Sequence, residues 1–219
     1  MIFVKPCLGT MNSGRSMIMD GKNYSASLVS KRFWFYESKQ YIEMLNDGMT
    51  SDEIQRLSEN QNIFGAASNS RAKEIFNTVR RRVNILDEEI QTIFPKLNID
   101  NQKIIIFISV LLLNDLILEF MLEVYQVQLQ KGQMQLTVTD YKAFFSEKQR
   151  TNETVASWKP YTYNRLGSAY KKYLLEAGLI REDGEADLMT LKVIDPKVLQ
   201  WLRVIGRPDI IRAITGGLQ

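Results

Sequence analysis

The run Ile104-Ile-Ile-Phe-Ile-Ser-Val-Leu-Leu-Leu113 constrains this chain more than any other segment. As a helix it is apolar nearly all round, so it offers no face to water and must be enclosed by other elements. A bilayer could enclose it, but a spanning helix needs roughly 20 apolar residues. This run stops at Asn114 and Asp115, with Glu119 and Glu123 beyond, and carboxylates there would face heavy desolvation in lipid. The run therefore predicts the central helix of a bundle and no membrane span. With 219 residues, 45% of them hydrophobic, the chain has enough apolar surface to build that bundle, as one large domain or two small ones.

Capping residues and apolar spacing place helices on both sides of it. Ser25 or Ser27 caps a first short helix, and Phe33, Trp34, Phe35, Tyr41, Ile42 and Leu45 then give a helical apolar pattern that Gly48 ends. The aromatics Phe33-Trp-Phe-Tyr36 read as core. Thr50-Ser-Asp-Glu53 is a capping box opening a helix through Glu59. A longer helix follows from Ser68 or Ser70 to Leu86, then a piece from Asp87 that Pro95 closes. Asp100 caps the apolar helix, and Asn114 or Asp115 restarts a second with Leu116, Phe120, Val124 and Val127 on one side and Glu119, Glu123 and Gln126 elsewhere.

The character changes after Gly132. Helices are expected from Thr139 and Asp140, which begin the first, through Arg150, then over 152–157, and from Pro160, a residue tolerated in the first turn, to Gly178. Leu179 to Ile194 reads as a hairpin around Asp183-Gly184, and Asp195-Pro196 caps a last helix through Val204. Helix, helix, helix, hairpin is the order of a winged helix-turn-helix unit, which sets its third helix in the major groove of DNA. The expectation is an all-α protein in two parts with helix-turn-helix-like units and one small β-hairpin, the wing. Its divisions are a flexible leader over 1–22, an N-terminal helical domain over 23–135 and a C-terminal winged-helix-like domain over 136–219.

The chain has no histidine and one cysteine, Cys7, in the leader. This removes histidine acid–base chemistry, Cys–His nucleophiles and common zinc sites, and a lone thiol forms no internal disulfide. There is no phosphate-cradling glycine loop. Asp87-Glu88-Glu89 reads as a helix N-terminal turn, and the acids from Glu182 to Asp187 lack the ligand spacing of a calcium loop. No catalytic residue, metal, cofactor or small-molecule substrate is expected. The start has no basic region ahead of its apolar stretch and Pro6 interrupts it, so it does not read as a signal peptide, and the expected location is the cytoplasm.

Charge then carries the functional reading. In the helix after Pro160, Leu166, Ala169, Tyr170, Tyr173, Leu174 and Ala177 form a buried stripe. Opposite lie Tyr161, Asn164, Arg165, Ser168, Lys171 and Lys172, with Lys159 just before. Arg and Lys suit phosphate or guanine, Asn suits adenine, and Ser suits backbone oxygens. The alternative is an ordinary solvated face, and the acidic wing tip (Glu182, Asp183, Glu185, Asp187) would be repelled by phosphate. In the helix near 69–86, Ala72, Ile75, Phe76, Val79, Val83 and Leu86 face inward. Ser70, Lys73, Asn77, Arg80 and Arg81 face outward, with Arg71 and Arg82 on the flanks and Lys31 and Arg32 extending the face. Residues 67–85 carry five basic side chains against one acid, whereas 84–134 carry three against seven. Segregation of this kind steers a polyanion better than the net charge of +3 suggests; an arginine-rich helix end favoured by the dipole reads equally well.

Tyr24-Ser-Ala-Ser-Leu-Val-Ser-Lys-Arg-Phe-Trp-Phe-Tyr-Glu37 resembles the opening of the BrxA family of BREX phage-defence operons. So does the succession Gly48-Met-Thr-Ser-Asp-Glu-Ile54, Ser70-Arg, Arg80-Arg-Arg-Val and Leu86-Asp87, and later Trp158, Arg165-Leu and Tyr173-Leu-Leu-Glu-Ala-Gly-Leu-Ile180. The likeness spans roughly residues 23–205. It implies a small, mostly helical cytoplasmic protein without enzymatic activity, linked to DNA binding and similar in part of its fold to the antitermination factor NusB. The resulting expectation is a double-stranded DNA-binding component of a phage-defence assembly, with other BREX proteins as further partners. The rival is an adapter that joins defence proteins without touching DNA.

Overall fold

A computed structural model describes residues 22, 24–184 and 186–217. Apart from Lys22, the expected leader, with Cys7, lies outside the described residues, as does Glu185 of the wing tip. The core is built on the apolar run. It forms α5 (Ile99–Leu113), whose residues Ile104 to Leu111 are all buried, each large side chain contributing roughly 1.5–3 kcal/mol relative to exposure. Asn98, not Asp100, caps this helix by accepting from the Asn101 amide. Asn114 breaks it in extended conformation and its side chain accepts from the Ile117 amide. The next helix, α6 (Asp115–Gln130), leaves at 112°. No single described helix is long and apolar enough to cross a membrane.

Around α5 stand four N-terminal helices: α1 (Phe35–Asn46), α2 (Ser51–Gln61), α3 (Asn69–Asn84) and α4 (Glu88–Ile93). Thr50 and Glu53 form the expected capping box, Ser68 caps α3 and Asp87 caps α4. Gly48 takes φ +89°, which ends α1 without strain on a Cβ. The inward face of α3 is the one read from its spacing, and Phe33, Trp34 and Phe35 are buried. Tyr36, expected in the core, is 76% exposed.

The C-terminal part runs β1 (Gln135–Leu136), α7 (Val138–Thr151), α8 (Glu153–Ala156), α9 (Pro160–Glu176), β2 (Ile180–Asp183), β3 (Ala186–Met189), α10 (Pro196–Val204) and α11 (Pro208–Thr215). The protein is mostly helical, as expected, but the hairpin gains a partner: β1 pairs antiparallel with β3, giving the order β1-β3-β2. One contiguous set of buried side chains runs from Leu28 to Ile214 through both parts.

Helix α6 departs most from its expected face. A π turn over Met121–Tyr125 adds one residue to the turn. The inward face therefore passes from Phe120 and Met121 to Tyr125 and Leu129, and Val124 and Val127 are only half-buried. Glu119 is buried rather than solvated: Lys148 of α7 contacts both Glu119 and Glu123, Lys22 pairs with Glu119 at 2.8 Å, and the Tyr24 hydroxyl donates to it at 2.6 Å. Burial pushes the Glu119 carboxyl up, but these hydrogen bonds together outweigh it and hold the group below its ordinary 4.5. A folded-state pKa below the unfolded one stabilises the protein above pH 4.5 and is lost as pH falls through the lowered value. Glu119→Gln should cost about 1–3 kcal/mol at neutral pH, because Lys148 loses its buried partner but keeps Glu123. It should also flatten the acid side of the stability curve, read from urea midpoints between pH 3 and 7. A curve as steep as that of the parent would remove Glu119 from the acid response.

Candidate nucleic-acid interface

Two segments far apart in sequence meet along α9. The turn at Ser27–Val29 packs on this helix, and residues 30–33 continue beside it as a strap. Arg82 fastens them. It was expected on a flank of α3, but it is 3% exposed. Its Nη1 donates to the carbonyls of Arg32 at 3.0 Å and Phe33 at 2.5 Å, and its Nη2 donates to the Tyr173 hydroxyl at 2.5 Å. Tyr173, on the inner face of α9, in turn donates to the Arg32 carbonyl at 3.1 Å. The guanidinium also lies 5.5 Å from the centre of the Tyr173 ring and 5.9 Å from that of Trp34. Trp34 holds a left-handed backbone, φ +51°, unfavourable for a bulky residue; its burial, with Arg71 4.9 Å over the ring, keeps it there.

With the carbonyls of Arg32 and Phe33 tied inward, the strap becomes one wall of a groove of about 700 Å³. Lys31 and Arg32 line this wall, and Asn164, Arg165, Ser168 and Lys172 of α9 line the other. Phe33 and Ala169 contribute to its lining, and one carboxylate, that of Glu176, borders it. Among the described residues, Arg32, Arg165 and Lys172 form no ion pair. Beyond Lys31 the positive surface continues: Lys31 and Arg81 line a small adjoining hollow, and Arg81, Arg80 and Asn77 border the next depression, together with Asp52. Burial, then the charges of Arg81 and Arg82, pull the Lys31 ammonium below its usual 10.5. Cations crowded in this way favour an anion between them.

Other expected site residues are engaged elsewhere. Lys171 turns to the hairpin and pairs with Asp187 at 2.8 Å and Glu182 at 3.1 Å, which hold its ammonium above the usual lysine range. It therefore faces carboxylates where it was expected to face phosphate. Those pairs also neutralise two of the acids that counted against a wing beside DNA. Arg71 pairs with Glu74 at 2.6 Å and Lys73 reaches Glu59 at 3.9 Å. Arg80 lies over the Phe76 ring and donates to Asn77 at 3.4 Å. Lys159 and Tyr161 are exposed at the start of α9, outside the groove lining.

Arg82, the key to this arrangement, was legible in principle. It stands at i+7 from Ile75 and i+3 from Val79, the spacing of the buried stripe; its charge, and two neighbouring arginines, argued for solvent. Likewise Met134 and Leu136 alternate with Gln133 and Gln135, a period of two that marks β1.

Known proteins share both sequence and shape with this chain. A protein of Bacillus cereus (strain H3081.97) described as BREX protein BrxA is 31% identical over 183 residues, covering 84% of this chain and 92% of that protein. One of Escherichia coli O9:H4 (strain HS) with the same description is 23% identical over 205 residues, covering 94% and 96%. The crystal structure of an uncharacterized protein from Magnetospirillum magneticum has the same fold, with a TM-score of 0.73 at 18% identity over 89% of this chain and 99% of that one. Residues 22–206 match the BrxA family as a whole, and the chain belongs to that family.

Proposed function

We propose that this chain is a non-enzymatic, double-stranded DNA-binding component of a BREX phage-defence system. One observation carries the reading: cations from the start of the chain and from α9 form opposite walls of one groove, and Arg32, Arg165 and Lys172 have no carboxylate partner among the described residues. Phosphate is the natural counter-charge for such a strip. The order α7, α8, α9, hairpin, with a short strand completing the sheet, supports a winged helix-turn-helix reading of the C-terminal part. The description of the Bacillus and Escherichia relatives supports the defence context. Lys31, Arg32, Arg165 and Lys172 supply phosphate contacts, with Arg81 extending the strip, and Asn164 is the candidate for a base edge.

A gel-shift titration on unrelated duplexes at several salt concentrations tests this. Binding at low salt with a log–log slope of roughly −3 to −4, as four phosphate contacts require, is the expected result. No shift at low salt overturns the proposal and leaves the adapter role.

A further inference from the structure

Among the described residues no carboxylate touches the buried Arg82 guanidinium. The groups that accept from it, the carbonyls of Arg32 and Phe33 and the Tyr173 hydroxyl, are neutral. Glu37 acts on it only through space, without an ion pair, and the rings of Trp34 and Tyr173 supply only part of a counter-charge. A cation this deep is ordinarily matched by an anion, because an unpaired charge is costly away from water. Two further cations share its surroundings. Arg82, Arg81 and Lys31 line one hollow of about 40 Å³, where α3, the strap and the end of α5 meet. Lys31 and Arg81 form no ion pair and donate no side-chain hydrogen bond among the described residues. Glu74, whose charge acts on Lys31, is held by Arg71 at 2.6 Å.

No described carboxylate lines this hollow, and its remaining polar groups are uncharged. Thr78 of α3 is buried, and its hydroxyl has no hydrogen-bond partner among the described residues. Ser27 adds a second hydroxyl and Asn114 an amide. Val110 and Leu113 supply an apolar side, beside which charges are weakly screened. Space for roughly three waters suits one tetrahedral oxyanion and admits neither a sugar nor a base. We propose that the hollow binds one free phosphate ion, held by Lys31, Arg81 and Arg82, with the Thr78 hydroxyl donating to it. Guanidinium forks match the paired oxygens of such an ion, and its charge supplies the anion that the buried Arg82 lacks. The ion joins the strap to α3 and so braces the wall of the cationic groove that Lys31 and Arg32 form. Lys31 lines both the hollow and the groove, but the ion needs no duplex. The site stands whether or not the groove takes DNA.

Equilibrium dialysis of the full chain against radiolabelled orthophosphate tests this, in about 0.1 M sodium chloride to screen loose ion pairing. Saturable uptake approaching about one phosphate per chain is the expected result. Sulfate should displace the label, and added chloride at equal ionic strength should not. Arg81→Met, at an exposed position, and Lys31→Met should each weaken uptake at least about tenfold, as loss of a charge-assisted hydrogen bond requires. A thermal melt checks that each variant folds. Replacing Arg165 and Lys172 with alanine, which strips the far wall of the groove, should change uptake less than about twofold. No saturable uptake, displacement by chloride as readily as by sulfate, or uptake unaffected by Arg81→Met or by Lys31→Met would overturn the proposal. So would loss of uptake on replacing Arg165 and Lys172, which would put the ion in the groove. With no DNA present, each outcome is read independently of the gel shift.

Discussion

Replacing Arg165 and Lys172 together with alanine should weaken duplex binding by roughly 50-fold at 0.1 M salt and reduce the log–log salt slope by about 2. The size follows from counterion release. Each phosphate contact contributes about 0.9 to the slope, and so nearly tenfold in affinity between 1 M and 0.1 M salt. Both side chains line the groove and neither has a carboxylate partner among the described residues. Lys171→Ala is the informative control. From the sequence, Lys171 and Lys172 were equivalent neighbours on one basic face. In the fold, Lys171 is neutralised by Asp187 and Glu182, so its loss should change affinity less than about twofold and leave the slope alone. Gel shifts or anisotropy at three or four salt concentrations read both quantities. If Lys171→Ala flattens the slope as much as Lys172→Ala does, phosphate binds on the hairpin side of α9 and not in the groove.

Arg82→Ala should produce the largest loss of stability, about 4–5 kcal/mol. It leaves the Phe33 carbonyl and the Tyr173 hydroxyl oxygen without this donor and the Arg32 carbonyl with only the Tyr173 hydroxyl, at about 1–3 kcal/mol for each buried group left unpaired. It also opens space beside Trp34 and Tyr173. Tyr173→Phe, which removes the bond from Arg82 and the one to the Arg32 carbonyl and keeps the ring, should cost about 1–2 kcal/mol. Arg82→Lys should fall between them, since an ammonium keeps the charge but cannot reproduce the planar fork. Urea unfolding gives the order. Because Arg82 holds the strap, Arg82→Lys should also weaken duplex binding although its side chain touches no DNA. Unaltered binding would show that Lys31 and Arg32 are not needed where Arg82 holds them.

Much of the helical layout was readable because its determinants are local. A cap is a bond between residues three apart, as at Thr50 and Glu53, Ser68 and Arg71, or Asn152 and Val155. A buried stripe repeats within a few turns, as along α3 and α9. Where the reading failed, the deciding partner lay far along the chain. Glu119 looked solvated on its own helix, but Lys148 from α7 and Lys22 from the start of the chain meet it. Tyr36 follows three buried aromatics, yet the helix that begins at Phe35 turns it outward.

The site divides in the same way. Residue types alone established a mildly basic chain without histidine, a central helix too apolar to be exposed, and two helices with a basic side. Tertiary structure decided which cations act together. It drew Arg82 inward to three acceptors, gave Lys171 to the hairpin, and set Lys31 and Arg32 opposite Arg165 and Lys172 across one groove. The physical reason is one of range. Capping and periodicity are satisfied within a few residues, whereas the fate of a charge depends on what burial brings against it from elsewhere in the chain.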